Sequence, residues 1–196
     1  KSEIEKGLSN VGGADKVLIT SCAAHRDYQG KTLEEIANAQ DVSPADVYIQ
    51  IVRDGGAGVV CNSMNEADVK AFYQEPWVMV SSDGGIGSRH PRGTGTFTRV
   101  LGRFVRENNW FPLEEAIRKM SAFPANRLGL KDRGLIKKGK KADLVLLDKE
   151  KVIDRASFSQ PQDLSEGIEM VFVNGVKVWN SGKVAGSFPG MILRRN

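Results

Sequence analysis

The chain has 196 residues, 40% apolar and 27% charged, an ordinary globular balance with enough length for a sizeable core. Its formal net charge is +4, but the basic residues are scattered without aromatic interleaving. The densest cluster, Lys137, Lys138, Lys140 and Lys141, is broken by Gly139, so it reads as a solvated turn and nucleic acid is not an expected partner. Two cysteines are too few for a secreted disulfide scaffold, and neither a leader pattern nor a bilayer-length apolar run is visible, so no membrane association is expected. A cytoplasmic protein with Cys22 and Cys61 as buried thiols follows.

The first residue is Lys1, not Met, which reads as an internal or processed segment of a longer protein. Residues 1–14 are polar and Gly-rich, and a loose segment is expected there. The β-branched run from Val17 to Cys22 predicts a strand. Thr32 followed by Glu35 is a capping box that opens a short helix through Ile36 and Ala37. Ser43 and Pro44 then mark a second helix start, with Val47, Tyr48, Ile51 and Val52 at helical spacing until Asp54-Gly55-Gly56. Gly58–Asn62 and Trp77–Ser82 read as two buried strands. Between them runs a helix capped by Asn65, with Val69, Phe72 and Tyr73 on one face and Pro76 at its end. Two apolar strands around a helix predict a βαβ unit and hence a parallel sheet.

A long helix is expected over Phe97, Val100, Leu101, Phe104 and Val105. Another starts at Pro112, with Leu113, Ala116, Ile117 and Met120 inward and Glu114 and Glu115 favoured by the dipole of its first turn. Beyond residue 128 the pattern changes to short Gly-punctuated segments. Ala142–Asp148 predicts a strand. Met170–Val173, Asn174-Gly175 and Val176–Trp179 predict a hairpin with a type I′ turn, and Gly182 a further turn.

Two constellations could carry chemistry. Asp83 follows the apolar run Trp77–Ser82 and precedes Gly84, the place where α/β enzymes put catalytic groups. A carboxylate there can ligate a metal or take a proton from metal-bound water, or it can simply cap the next turn. The second is Ser88-Arg89-His90-Pro91-Arg92-Gly93-Thr94-Gly95-Thr96. Its arginines could fork a carboxylate bidentately, or it is a solvated basic loop with Thr96 as a helix cap. His25 reads as a partly exposed loop residue. Asn62 and Ser63, at the end of the preceding strand, could line a pocket, but read rather as capping residues of the next helix.

A larger pattern joins these pieces. Ser82-Asp83-Gly84, His90-Pro91-Arg92, Gly95-Thr96-Phe97, Arg99–Arg103 and Leu113–Met120 together resemble the C-terminal part of the N-acyl-D-amino-acid deacylases (D-aminoacylases). So does the stretch from Pro124-Ala125 to Gly134. Gly134–Lys140 followed by Ala142–Val145 resembles the closing segment of metal-dependent amidohydrolases broadly. The resemblance implies an α/β fold: residues 1–127 as the C-terminal part of a (β/α)8 TIM-type barrel, with an insertion near 15–55, and 128–196 as strands of a small β-sandwich. It also implies hydrolysis of an N-acyl-D-amino acid by a zinc-activated water. Asp83 would be metal ligand and proton carrier, and Arg92 would hold the substrate carboxylate.

The family's other metal ligands lie upstream of the matched motifs, and none can be placed in this chain. The chain alone is therefore expected to be inert, with the N-terminal part of the barrel as its missing partner. Two rival readings stand beside this one. The first is a cyclic-amide amidohydrolase, a hydantoinase or dihydroorotase relative. The second is a non-catalytic half-barrel that only associates.

Overall fold

The computed structural model describes residues 1–85 and 90–194, in two compact units, Lys1–Asp68 and Val69–Asn196. Helix and sheet are both present, as expected for an α/β chain. In the first unit α1 (Ser2–Asn10) takes the place of the loose segment expected there. β1 (Val17–Ser21) alternates buried and half-buried residues, turning Val17 and Ile19 inward. The capping box of α2 (Leu33–Gln40) forms as read: the Glu35 N–H donates to Thr32 Oγ1 at 3.2 Å, and the Thr32 N–H donates to Glu35 Oε2 at 2.7 Å. Ser43 caps α3 (Pro44–Arg53), its Oγ accepting the Asp46 N–H at 3.2 Å. Val17, Ile19, Cys22, Tyr28, Leu33, Ile36, Val47 and Ile51 close one apolar core.

The expected βαβ unit does not form. β2 (Gly58–Cys61) pairs antiparallel with β1, Val17 opposite Cys61 and Ile19 opposite Val59, so the two make a two-stranded sheet. β2 is largely exposed, and the Cys61 thiol is exposed where burial was expected; Cys22 is buried. Trp77–Ser82 is not a strand. Its backbone finds no neighbouring strand among the described residues and bonds to a helix instead, the Val80 N–H donating to the Lys119 carbonyl at 3.2 Å. Trp77 is exposed and Val80 alone in that run is buried.

Asn65 Oδ1 accepts the Ala67 N–H at the start of α4 (Glu66–Gln74). Val69 and Tyr73 pack inward, whereas Phe72 faces solvent. The long helix of the second unit starts earlier than expected. α5 (Arg92–Arg99) has Pro91 as its N-cap residue, so Thr96 lies inside the helix. It continues as a π-helix over Val100–Glu107. The wider π turn changes which residues share a face: Val100, Leu101, Gly102 and Phe104 are buried, Val105 only half-buried. α6 (Leu113–Met120) turns Ala116 and Lys119 inward and leaves Ile117 exposed. Val80, Val100, Leu101, Phe104, Trp110, Ala116 and Val152 form the second core, with Phe104 stacked on Trp110 at 4.0 Å.

α7 (Ala122–Leu128) ends at Gly129 in the left-handed conformation. Lys137, Lys138 and Lys141 are exposed in a turn. The closing residues build one antiparallel sheet in the order β3 (Leu144–Leu147), β4 (Ile168–Val173), β5 (Val176–Asn180), β6 (Lys183–Val184). β3 and β6 are its outer strands. Asn174 and Gly175 have φ of 50° and 82°, the type I′ turn expected. Ser181 and Gly182, at 42° and 89°, repeat it before β6.

Candidate functional site

The two residues singled out by sequence meet in space. Arg92 Nη2 lies 2.9 Å from Asp83 Oδ2. Backbone contacts bring their segments together. Ser82 Oγ donates to the Arg92 carbonyl at 2.9 Å and accepts the Gly84 N–H at 3.0 Å. The approach requires glycine at position 84, where a Cβ would lie 2.4 Å from the Gly93 Cα. Asp83 is 82% exposed and Arg92 is 47% exposed, so the pair is worth at most about 1 kcal/mol to folding. An exposed, weakly held pair of opposite charges can exchange partners readily.

His90 stands beside them. Its Nδ1 accepts the Arg92 N–H at 3.1 Å, and its ring meets the Phe158 ring edge-on at 5.2 Å. Burial lowers its pKa from the ordinary value; the Arg92 charge lowers it further and the Asp83 charge opposes both. The neutral imidazole is therefore the favoured form here. Ser88 and Arg89 lie outside the described residues. The large apolar cavity of this unit, lined by Phe97, Leu101, Ile117, Leu144 and Trp179 among others, includes neither Asp83 nor Arg92.

The other candidates belong to the first unit. His25 Nε2 is 2.6 Å from Asp54 Oδ2, and its ring stacks on Tyr28 at 4.6 Å. Asn62 and Ser63 are exposed, and the Asn62 N–H donates to the Lys16 carbonyl. At the start of α4 the Ala67 amide is served by Asn65, so the capping role falls to that residue.

Two charged residues missed in the sequence support the site from beneath. The Lys119 side chain is fully buried; Nζ donates to the Glu75 carbonyl and, at 3.0 Å, to the Val78 carbonyl, holding the segment that leads to Asp83. Its position three residues after Ala116 was the available signal, concealed by its charge. Asp154 is 2% exposed and accepts from Arg99 and Arg103 of the helix that carries Arg92.

Zinc needs about three or four protein ligands. Among the described residues no three His, Cys, Asp or Glu side chains converge, so this chain's residues do not by themselves fit a zinc ion. Asp83 supplies one carboxylate.

A family model described as the amidohydrolase family matches residues 5–179. An N-acyl-D-glutamate deacylase of Alcaligenes xylosoxydans xylosoxydans is 40% identical over 93% of the chain, which covers 37% of that protein. A D-aminoacylase of the same organism is 37% identical over 93% of the chain and 37% of its own length. The crystal structure of an N-acyl-D-glutamate deacylase from Bordetella bronchiseptica, complexed with zinc and a phosphonate mimic of the tetrahedral intermediate, superposes with a TM-score of 0.82. It is 37% identical, over 95% of this chain and 39% of that one. The chain thus spans less than two fifths of the length of these relatives.

Proposed function

The chain belongs to the amidohydrolase family, and from that premise we propose that it is the C-terminal part of a longer enzyme that hydrolyses the amide bond of N-acyl-D-amino acids. The observation that carries the reading is the Asp83–Arg92 pair at 2.9 Å, within a chain whose relatives are D-amino-acid deacylases. In this reading Trp77–Ser82, which pairs with no strand among the described residues, takes the place of the last strand of a (β/α)8 barrel in the longer enzyme, beside strands that this chain does not supply. Residues 1–127 are the barrel part, with the insertion at 15–55. Residues 128–196 are the small β-sandwich portion, and β3–β6 are one of its sheets. The two free thiols suit a cytoplasmic enzyme.

Each residue then has a defined task. Arg92 exchanges Asp83 for the carboxylate of the substrate, whose two oxygens match the guanidinium fork. Asp83, released, takes a proton from the attacking water. As the C–N bond breaks, it returns that proton to the departing amine nitrogen, so base and acid are one group. Asp83 is also the metal-ligand candidate of this chain. The zinc of the Bordetella relative enters the reading by similarity, and its remaining ligands would come from the part of the enzyme outside this chain.

The test is an assay of released D-amino acid with the longer enzyme. N-acyl-D-amino acids should be turned over, Asp83→Ala should lower kcat by roughly a hundredfold or more, and Arg92→Ala should mainly raise KM, by about 30-fold. Turnover of hydantoins or dihydroorotate with none of N-acyl-D-amino acids would overturn the proposal in favour of a cyclic-amide hydrolase. Inactivity on both would leave an association module.

A further inference from the structure

We propose that Asp154 is a positioning residue for recognition of the substrate carboxylate, fixing the helix that presents Arg92 through two arginines on that same helix. The inference rests on the reading of Arg92 given above.

The helix surface is shaped to receive this carboxylate. Gly95 and Gly102 leave a flat strip on α5 and its π continuation. A Cβ at Gly102 would lie 2.5 Å from the Val152 carbonyl oxygen, and one at Gly95 would lie 3.1 Å from the Asp154 Cβ. The segment Val152–Asp154 therefore lies directly on the helix. Both Asp154 oxygens are occupied: Oδ2 accepts from Arg99 Nη1 and Oδ1 from Arg103 Nε, each at 2.8 Å. The carboxylate is 3% exposed, while the arginines remain 50% and 41% exposed. One buried negative charge thus draws two positions of the helix toward a single point. That arrangement sets the rotation of the helix about its axis, and with it the direction in which Arg92 leaves the first turn.

The loop that follows Asp154 reinforces the hold. It is closed at its base by the Ile153–Glu166 bridge. Ser165 Oγ is 2.6 Å from Thr98 Oγ1 and donates to the Thr94 carbonyl at 3.3 Å. Thr94 Oγ1 donates to the Pro161 carbonyl at 3.1 Å. Phe158 of the same loop meets the His90 ring. The strap therefore grips the first two turns of α5 on the side of Asp154 and ends against the residue two positions from Arg92. Bidentate recognition of a carboxylate demands donor placement within about 0.5 Å. A helix free to rotate would lose that placement while keeping the guanidinium in the site.

The experiment compares kcat/KM of the longer enzyme for an N-acyl-D-amino acid and for its carboxamide. The wild-type ratio should be large, and Arg92→Ala should bring it close to one. Asp154→Asn, which keeps the shape and removes the charge, should lower the ratio about tenfold. Arg103→Gln, which leaves the Arg99 contact intact, should lower it less and in the same direction. Asp154 acting only as a fold-stabilising group would reduce both substrates equally and leave the ratio unchanged, which overturns the inference. If Asp154→Asn does not fold, an unchanged ratio in Arg103→Gln overturns it. A wild-type ratio near one, or a ratio that survives Arg92→Ala, defeats the role of Arg92 itself. A ratio lost in Arg92→Ala but retained in both of the other variants defeats only the role of Asp154.

Discussion

His90 sits between a guanidinium that lowers its pKa and a carboxylate that raises it, on a background of burial that lowers it most. The folded state favours the neutral ring, so the unfolded chain binds more protons just below the ordinary histidine value. Its contribution to stability is present above that value and is lost as pH falls through the folded pKa. Removing one neighbour should move the titration predictably. Arg92→Gln should raise the His90 pKa and Asp83→Asn should lower it, read from the imidazole NMR shifts against pH, with His25 as the one other histidine signal. A downward shift in Arg92→Gln would contradict the assignment of causes. Asp83 and Arg92 could be singled out in the sequence as candidates because they stand nine positions apart in one recognisable block. Asp154 and Lys119 could not. Their partners are tens of residues away, and a charged side chain in a polar or apolar stretch says nothing by itself of the acceptors or donors that will surround it. Only the folded chain brings the Glu75 and Val78 carbonyls to one ammonium.

The elements were legible where their causes are local. The capping box, the Ser43 cap, the type I′ turn at Asn174-Gly175 and the turn at Gly182 each rest on residues within four positions of one another, and each formed as read. Strand pairing is not local. The apolar run Gly58–Asn62 specifies an extended segment but not its neighbour, and β1 rather than Trp77–Ser82 became that neighbour, antiparallel instead of parallel. The π-helix was equally hidden, since its wider turn shifts an apolar face without altering the composition. α6 holds the entry to Trp77–Ser82: Arg118 donates to the Pro76 carbonyl at 2.7 Å, and Lys119 donates to the Glu75 and Val78 carbonyls on either side. Lys119→Met keeps most of the volume but removes the ammonium from the Val78 carbonyl and leaves the Glu75 carbonyl with the Val78 N–H alone, which should cost about 1–3 kcal/mol. Urea unfolding should show a lower midpoint at unchanged slope. Lys138→Met, in the exposed turn, should stay within about 0.5 kcal/mol of wild type. Equal midpoints for the two variants would remove Lys119 from its role.

For the whole molecule, the resemblance of scattered motifs identified the family, while the architecture around Asp83 could not be read from a chain spanning 37% of the length of its relatives. The four-stranded sheet has its own consequence at this scale. β3 is an outer strand, its second edge unpaired among the described residues, and Val145 and Leu146 are 56% and 54% exposed. Its flanking acids are engaged, Asp143 with Arg133 and Asp148 with Lys151, which blunts their power to repel another copy. An apolar strand with a bare edge is a template for pairing with its own kind. The isolated 196-residue chain should therefore self-associate with rising concentration through this edge, and Leu146→Lys, placing a charge in the middle of the strand, should suppress it. Light scattering over a dilution series decides the matter: a variant that aggregates as readily as wild type would put the sticky surface elsewhere. The colloidal behaviour of the polypeptide is thus governed by the four residues of one strand, Leu144–Leu147.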